Sequence, residues 1–222
     1  PPRSTLFPYT TLFRSDEGRI FPEPYPTQQE NDGLRGIGFA DLIRGVTLVD
    51  LHGVGPAVQV SFDAVDGRSF MDIQPPGGAK PHIVWLGAGP DASAGSLSDA
   101  ALSSGLTAIW PGRVGGHLVN NSLDDFYRHA EALPDSAVGF RLLGPGSTRV
   151  YVDRYSGQLL AVVGPGRRVY DWIYYALHTL KFPGLLDHPD IRTLIELLLL
   201  ALGVAFSTTG VILSVKRVKR SF

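Results

Sequence analysis

The chain contains no cysteine in 222 residues, which excludes disulfides, thiolate-ligated zinc, iron–sulfur clusters and thioether-attached haem together. It lacks a charge bias as well. Its 20 basic and 21 acidic side chains leave a formal net charge of −1. Outside the last few positions the basic residues are scattered, so no phosphate-binding stripe speaks for nucleic acid. No glycine-rich loop precedes a helix in the way a nucleotide site requires. His52, His82, His117 and His129 stand far apart, without metal-ligand spacing. Ser122-Leu123-Asp124-Asp125 reads as a capping box that starts a helix, not as a pair of catalytic carboxylates. No catalytic residue and no metal site is therefore assigned. Before residue 194 the chain also has no long hydrophobic run.

From there on it has one. Residues 194–215, LIELLLLALGVAFSTTGVILSV, include 13 Leu, Ile, Val or Phe, and residues 197–215 are uncharged. At about 1.5 Å per residue this stretch is roughly 33 Å long, enough to cross the hydrocarbon core of a bilayer. At roughly −0.3 to −0.6 kcal/mol each, its large apolar residues supply on the order of −5 kcal/mol towards insertion. Glu196 lies one turn inside the start, where its carboxylate reaches the headgroups or stays protonated. Lys216, Arg217, Lys219 and Arg220 follow at once, and positive charge beside a span marks the cytoplasmic side. The expected partner is the lipid bilayer, with the C-terminus inside and the preceding chain outside.

The 26 glycines and 17 prolines favour short strands and turns ahead of that span. Residues 1–15, PPRSTLFPYTTLFRS, look like the in-frame translation of the adapter oligonucleotide of a common short-read sequencing method, and are set aside from fold reasoning. Natural sequence is expected to begin near Asp16, within a gene. Residues 16–38, rich in Pro, Gly and charge, read as a linker with little regular structure. FADLIRG reads as a short helix. VTLVDLHG, AVQVSFD, RSFMDIQ and HIVWLGA read as strands, with Asp66-Gly67 as a hairpin turn. SLSDAALSSGLTAIW reads as an amphipathic helix capped by serine and stopped by Pro111-Gly112. The acidic LDDFYRHAEAL reads as a helix, and AVGFRLL, TRVYVDR and QLLAVVG as three more strands. VSFDAVDGRSFMDIQPPG and VGFRLLGPGSTRVYVDRYSG share strand, glycine turn, acid-ended strand and glycine, which is the pattern of a degenerate repeat. The fold class read from these elements is α+β, with small antiparallel sheets.

VYDWIYYALHTL is a helix candidate ended by Pro183-Gly184, and its Trp172, Tyr174 and Tyr175 suit a membrane–water interface. At α-helical spacing Asp171, Tyr175 and His178 share one face, so a carboxylate and a phenol would set the imidazole's tautomer. His178 reads either as an interfacial histidine bonded at the headgroups or as a ligand.

The string Tyr151-Val152-Asp153-Arg154-Tyr155-Ser156-Gly157, then Arg167-Arg168, Trp172-Ile173-Tyr174, Leu177-His178 and a span with Thr209-Gly210, resembles the PepSY-associated transmembrane proteins of bacteria. Arg154 and Ser156 stand where that family usually has proline and threonine. The resemblance runs from about Ser122 to Arg220, and it singles out Tyr151, Asp153 and Gly157 as the family's motif turn. It implies helices packed on small antiparallel sheets in tandem, held in the periplasm on the inner membrane. Under it the chain divides into a linker at 16–38, a degenerate PepSY-like unit at 39–95 and a PepSY-like unit at 96–166. An interfacial helix and connector at 167–192, a transmembrane helix at 193–215 and a cytoplasmic tail at 216–222 complete it.

Two functions follow from the resemblance. PepSY domains resemble propeptide segments that restrain metalloproteases, which implies a binding or regulatory module whose sheet edge, expected within residues 148–154, takes up a strand of a periplasmic protein. Other family members resemble haem-carrying ferric-siderophore reductases of iron uptake. In that case His178, at the leucine-histidine position, would be an axial ligand of b-type haem, its partner ligand coming from N-terminal transmembrane helices that this sequence lacks. On its own the chain is not expected to be an enzyme.

Overall fold

Asp66 and Gly67 have φ of 52° and 73°, the left-handed pair that a two-residue hairpin turn demands. They close β1 (Gln59–Val65) onto β2 (Arg68–Gln74), with Val65 opposite Arg68. This expected hairpin begins the first of two sheets in a computed structural model. The structure describes residues 25–44, 55–87, 93–118, 122–144 and 146–221. The strand expected in VTLVDLHG lies outside those residues. The chain divides into two compact units, Pro1–Val169 and Tyr170–Phe222.

The first unit is α+β. β3 (His82–Trp85) and the two-residue β4 (Ser93–Ala94) continue the first sheet in antiparallel order β1-β2-β3-β4. The second sheet runs β5-β6-β7-β8, built from Val114–His117, Ala137–Leu142, Arg149–Asp153 and Leu159–Val163. Helices α1 (Gln28–Arg35), α2 (Phe39–Arg44), α3 (Asp99–Ile109) and α4 (Ser122–Ala130) lie between and before these strands. Both sheets feed one core. Phe70 and Ile83 from the first meet Phe140, Val150 and Val152 from the second, with Leu34 and Leu106 from the helices. Burial of such side chains is the main term holding the unit together, at about 1.5–3 kcal/mol each. Gly105 marks where α3 passes closest to α1, since a Cβ there would sit 2.8 Å from Leu34 Cδ1.

Two expectations change. The stretch read as an irregular linker holds α1, because Thr27 and Glu30 form a reciprocal capping box and Gly36 ends the helix at φ 71°. Those two caps offset the helix-breaking composition around them. Arg35 then ties α1 to β1 through Asp63, Nε to Oδ1 2.7 Å. The second correction concerns residues 148–154. They hold β7, which is hydrogen-bonded to β6 on one side and β8 on the other, so this strand is interior to its sheet, and among the described residues the edges are β5 and β8.

The second unit follows from α5 (Pro165–Asp171), within which the division falls, and begins with a π-helix, π1 (Trp172–His178). It ends in α6 (Pro189–Ser221). α6 is longer than residues 193–215 at both ends: Pro189 sits at the first helical position, where its missing N–H costs nothing, and the basic tail continues the helix. Over Pro189–Val218 it is long and apolar enough to cross a membrane, and none of its most apolar window is buried. Thr193, Thr208, Thr209 and Ser214 turn their hydroxyls back to the carbonyl four residues earlier, which leaves no side-chain hydroxyl among these four in need of water.

Candidate functional site

In π1 each amide reaches five residues back instead of four, which widens the turn. The i, i+4, i+7 face expected for Asp171, Tyr175 and His178 is therefore not made: Asp171 is buried, Tyr175 half-buried and His178 exposed. Residues four apart stack instead. Tyr170 and Tyr174 lie with centroids 5.5 Å apart and planes at 8°, and Tyr174 lies 5.6 Å from the His178 ring at 27°. Trp172 and Tyr174 are exposed beside Ile173 and Leu177, and Trp172 leans on Phe182 at 6.3 Å.

The end of π1 is closed by one carbonyl. Tyr175 O accepts from Thr179 Oγ1 at 2.6 Å and from Lys181 N at 3.1 Å. Leu180 between them is left-handed, φ 53°, a conformation that costs a residue with a Cβ about 1–2 kcal/mol. Beyond it the chain turns through Leu185 N to Phe182 O and His188 N to Leu185 O, so the connector satisfies much of its own backbone. Leu180 and the face of α6 carrying Glu196, Leu199, Gly203, Ser207 and Thr208 border an open groove of about 620 Å³. Arg192 Nε approaches Glu196 Oε1 at 3.5 Å at the groove's start.

Haem iron would be held through an imidazole nitrogen, and the electron-transfer site implied by the resemblance would draw a further ligand from outside these residues. His178 offers one exposed imidazole with a face against Tyr174. Among the described residues no three His, Cys, Asp or Glu gather, and His188 lies beyond the Pro183-Gly184 break. Of these residues His178 would supply one ligand to haem iron, and no step is routed through haem.

The motif turn lies in the α+β unit. Tyr151 is fully buried in β7 and donates its hydroxyl hydrogen to Asp124 Oδ1 at 2.9 Å. Arg149 reaches the same oxygen at 3.4 Å and covers the Tyr127 ring at 4.7 Å. Burial, and next the Asp124 charge, push the Tyr151 phenol above its ordinary value. The sequence marked Asp124 only as part of a capping box at the start of α4. Its role as the acceptor for Tyr151, 27 residues on, is set by packing and leaves no local signal. Asp153 Oδ1 accepts from Tyr155 N and Ser156 N at 2.7 and 2.8 Å, and Oδ2 from Ser136 Oγ at 2.6 Å. Gly157 follows at φ 66°, packed against Phe70 and Leu97. Arg167, next in the string, holds buried Glu131 through two bonds of 2.7 and 3.2 Å. The bonds named here run to backbone or to neighbouring side chains within the same unit, as in a structural scaffold.

Asp72, which the repeat pattern expected from the sequence sets opposite Asp153, is less well served. Its Oδ1 is buried without a hydrogen-bond partner. Burial raises its carboxyl, the Asp153 charge raises it further and His82 opposes them.

The chain matches no family model, no curated protein and no solved structure.

Proposed function

We propose that this chain is a membrane-anchored module of PepSY type. α6 crosses a bacterial inner membrane, the basic tail lies in the cytoplasm, and the α+β unit stands in the periplasm as a binding or regulatory domain. The observation that carries the anchor is α6 itself. From Leu194 to Val215 its Leu, Val and Phe are exposed, and of its isoleucines Ile212 is exposed and Ile195 half-buried; a helix apolar on nearly every face needs an apolar solvent. Lys216, Arg217, Lys219 and Arg220 at its end support the orientation. The test is alkaline extraction of membranes combined with protease added to spheroplasts. The chain stays in the pellet, the α+β unit is digested, and a tag after residue 222 survives. Release at high pH overturns the anchor; a digested tag with a protected α+β unit reverses the orientation.

The binding role rests on the second sheet's edge. At β8, Leu159 N is taken by Asn31 Oδ1 of α1 at 3.1 Å. Among the described residues β5 pairs only with β6, and it carries a register shift at Gly116. A partner strand would add there, with main-chain bonds for affinity. A photo-crosslinking residue at His117 then gives a discrete adduct in cells, where one at exposed Asp125 gives none. Equal yields at both sites count against strand capture. A dithionite-reduced minus oxidised spectrum with a b-type band that His178→Ala removes would restore the redox reading.

A further inference from the structure

The Tyr170–Phe222 unit carries a second apolar surface besides α6. Ile173 and Leu177 of π1 are 56% and 69% exposed, four residues apart, and Trp172 and Tyr174 flank them. Leu180, just beyond, borders the groove on α6 opposite Leu199 and Gly203. Both of those lie inside the uncharged run 197–215, past Glu196, so Leu180 sits beside residues that an anchor would place in hydrocarbon. We propose that residues 172–186 form a re-entrant turn that enters the leaflet at which α6 begins, with Leu177 and Leu180 at acyl-chain depth, so that this unit meets the lipid twice. The inference rests on the anchor reading.

Three features make the insertion physically sound. Backbone at membrane depth must satisfy itself, and here π1, the double acceptance by Tyr175 O and the bonds from Leu185 N and Leu186 N to Phe182 O meet much of that need. Tyr170, Trp172, Tyr174 and Tyr175 supply the amphipathic rings that hold a segment at the headgroup boundary. Lys181 is the one charge near the apex, and its four-carbon stem lets the ammonium reach the phosphates while Leu180 stays below. Asp187, Asp190 and Arg192 come after the turn, where the chain is back at the surface. A segment meant for water would gain nothing from exposing Ile173 and Leu177 on the same body as a membrane helix.

The absence of native cysteine makes the test direct. Single variants Leu177→Cys, Leu180→Cys, Leu202→Cys and Leu143→Cys of the full chain carry a nitroxide in phosphatidylethanolamine–phosphatidylglycerol vesicles. Power saturation then reads collisions with oxygen, enriched in hydrocarbon, and with a water-soluble nickel chelate. Positions 177 and 180 are expected to resemble 202, with nickel accessibility several-fold below that of 143 on the α+β unit. If 177 and 180 match 143 while 202 stays protected, the re-entrant turn is wrong and the anchor stands. If 202 is also open to nickel, the anchor falls and the turn with it. Leu177 projects from the surface, so its label reports even where the Leu180 variant disturbs the turn.

Discussion

Among the described residues of the Pro1–Val169 unit most large apolar side chains are buried or half-buried, with Tyr25, Val58, Leu143 and Val169 exposed; among those of the Tyr170–Phe222 unit Ala176 is the one buried apolar residue and the leucines of α6 are exposed. The same residue types are used to opposite ends. Two sheets and α3 give the first unit facing surfaces to close on, so its side chains leave water by touching each other. α6 has no such layer within its own unit, and its side chains leave water only if the surroundings are lipid. Stability of the first unit is therefore a property of the chain, and that of the second a property of its solvent.

Core truncation tests the first half of that contrast with the largest effect. Phe140→Ala should cost the α+β unit about 3–5 kcal/mol, read by denaturant unfolding, while membrane partition stays as in the parent. If partition fell equally, the units would not be separable in this way. The converse change is Leu202→Arg. At the centre of α6 it should oppose insertion by about 3 kcal/mol and release chain into the soluble fraction, with the near-ultraviolet signature of the α+β unit unchanged.

A smaller effect is expected at Tyr151→Phe. Removing the hydroxyl takes one hydrogen bond from buried Asp124, at about 1–3 kcal/mol. The parent should also lose stability as pH rises above ~10, because the folded phenol holds its proton to higher pH than the unfolded one. The variant lacks that loss. Asp72→Asn should give the smallest change and one of unusual sign. A carboxyl raised in the folded state makes folding bind a proton, so its contribution favours stability near pH 4 and fades as pH rises through the folded value. The Asn variant should be more stable than the parent at pH 7, and the gap should close on acidification. A gap that widens in acid would mean that Asp72 is stabilised as a carboxylate.

Local signals carried much of the secondary structure. Asp66-Gly67 announced the first hairpin, serines announced α3, and uninterrupted hydrophobicity announced α6. α1 was legible too, in Thr27-x-x-Glu30 and Gly36, but the surrounding prolines and glycines outweighed that capping box in a reading by composition. The π-helix was not legible. Over seven residues a four-residue and a five-residue hydrogen-bond spacing leave nearly the same pattern of apolar side chains, so the face shared by Asp171, Tyr175 and His178 was drawn at α-helical spacing where the chain forms a π-helix. Nor does alternation along TRVYVDR tell an edge strand from a central one, since both bury one side and differ only in who stands beside them.

Short-range chemistry in the sequence thus determined where the chain turns, much of where it is helical or extended, and that one helix is long and apolar enough to cross a membrane. Caps, left-handed turn residues and side-chain hydrophobicity act within a few residues and need no partner. The tertiary structure alone decided that both sheets share a core, that β7 is interior, that Asp124 answers Tyr151, and that Leu180 returns to the flank of α6. Each of these joins residues far apart in the chain, and such a pairing becomes favourable only when the rest of the fold has already brought its two sides together.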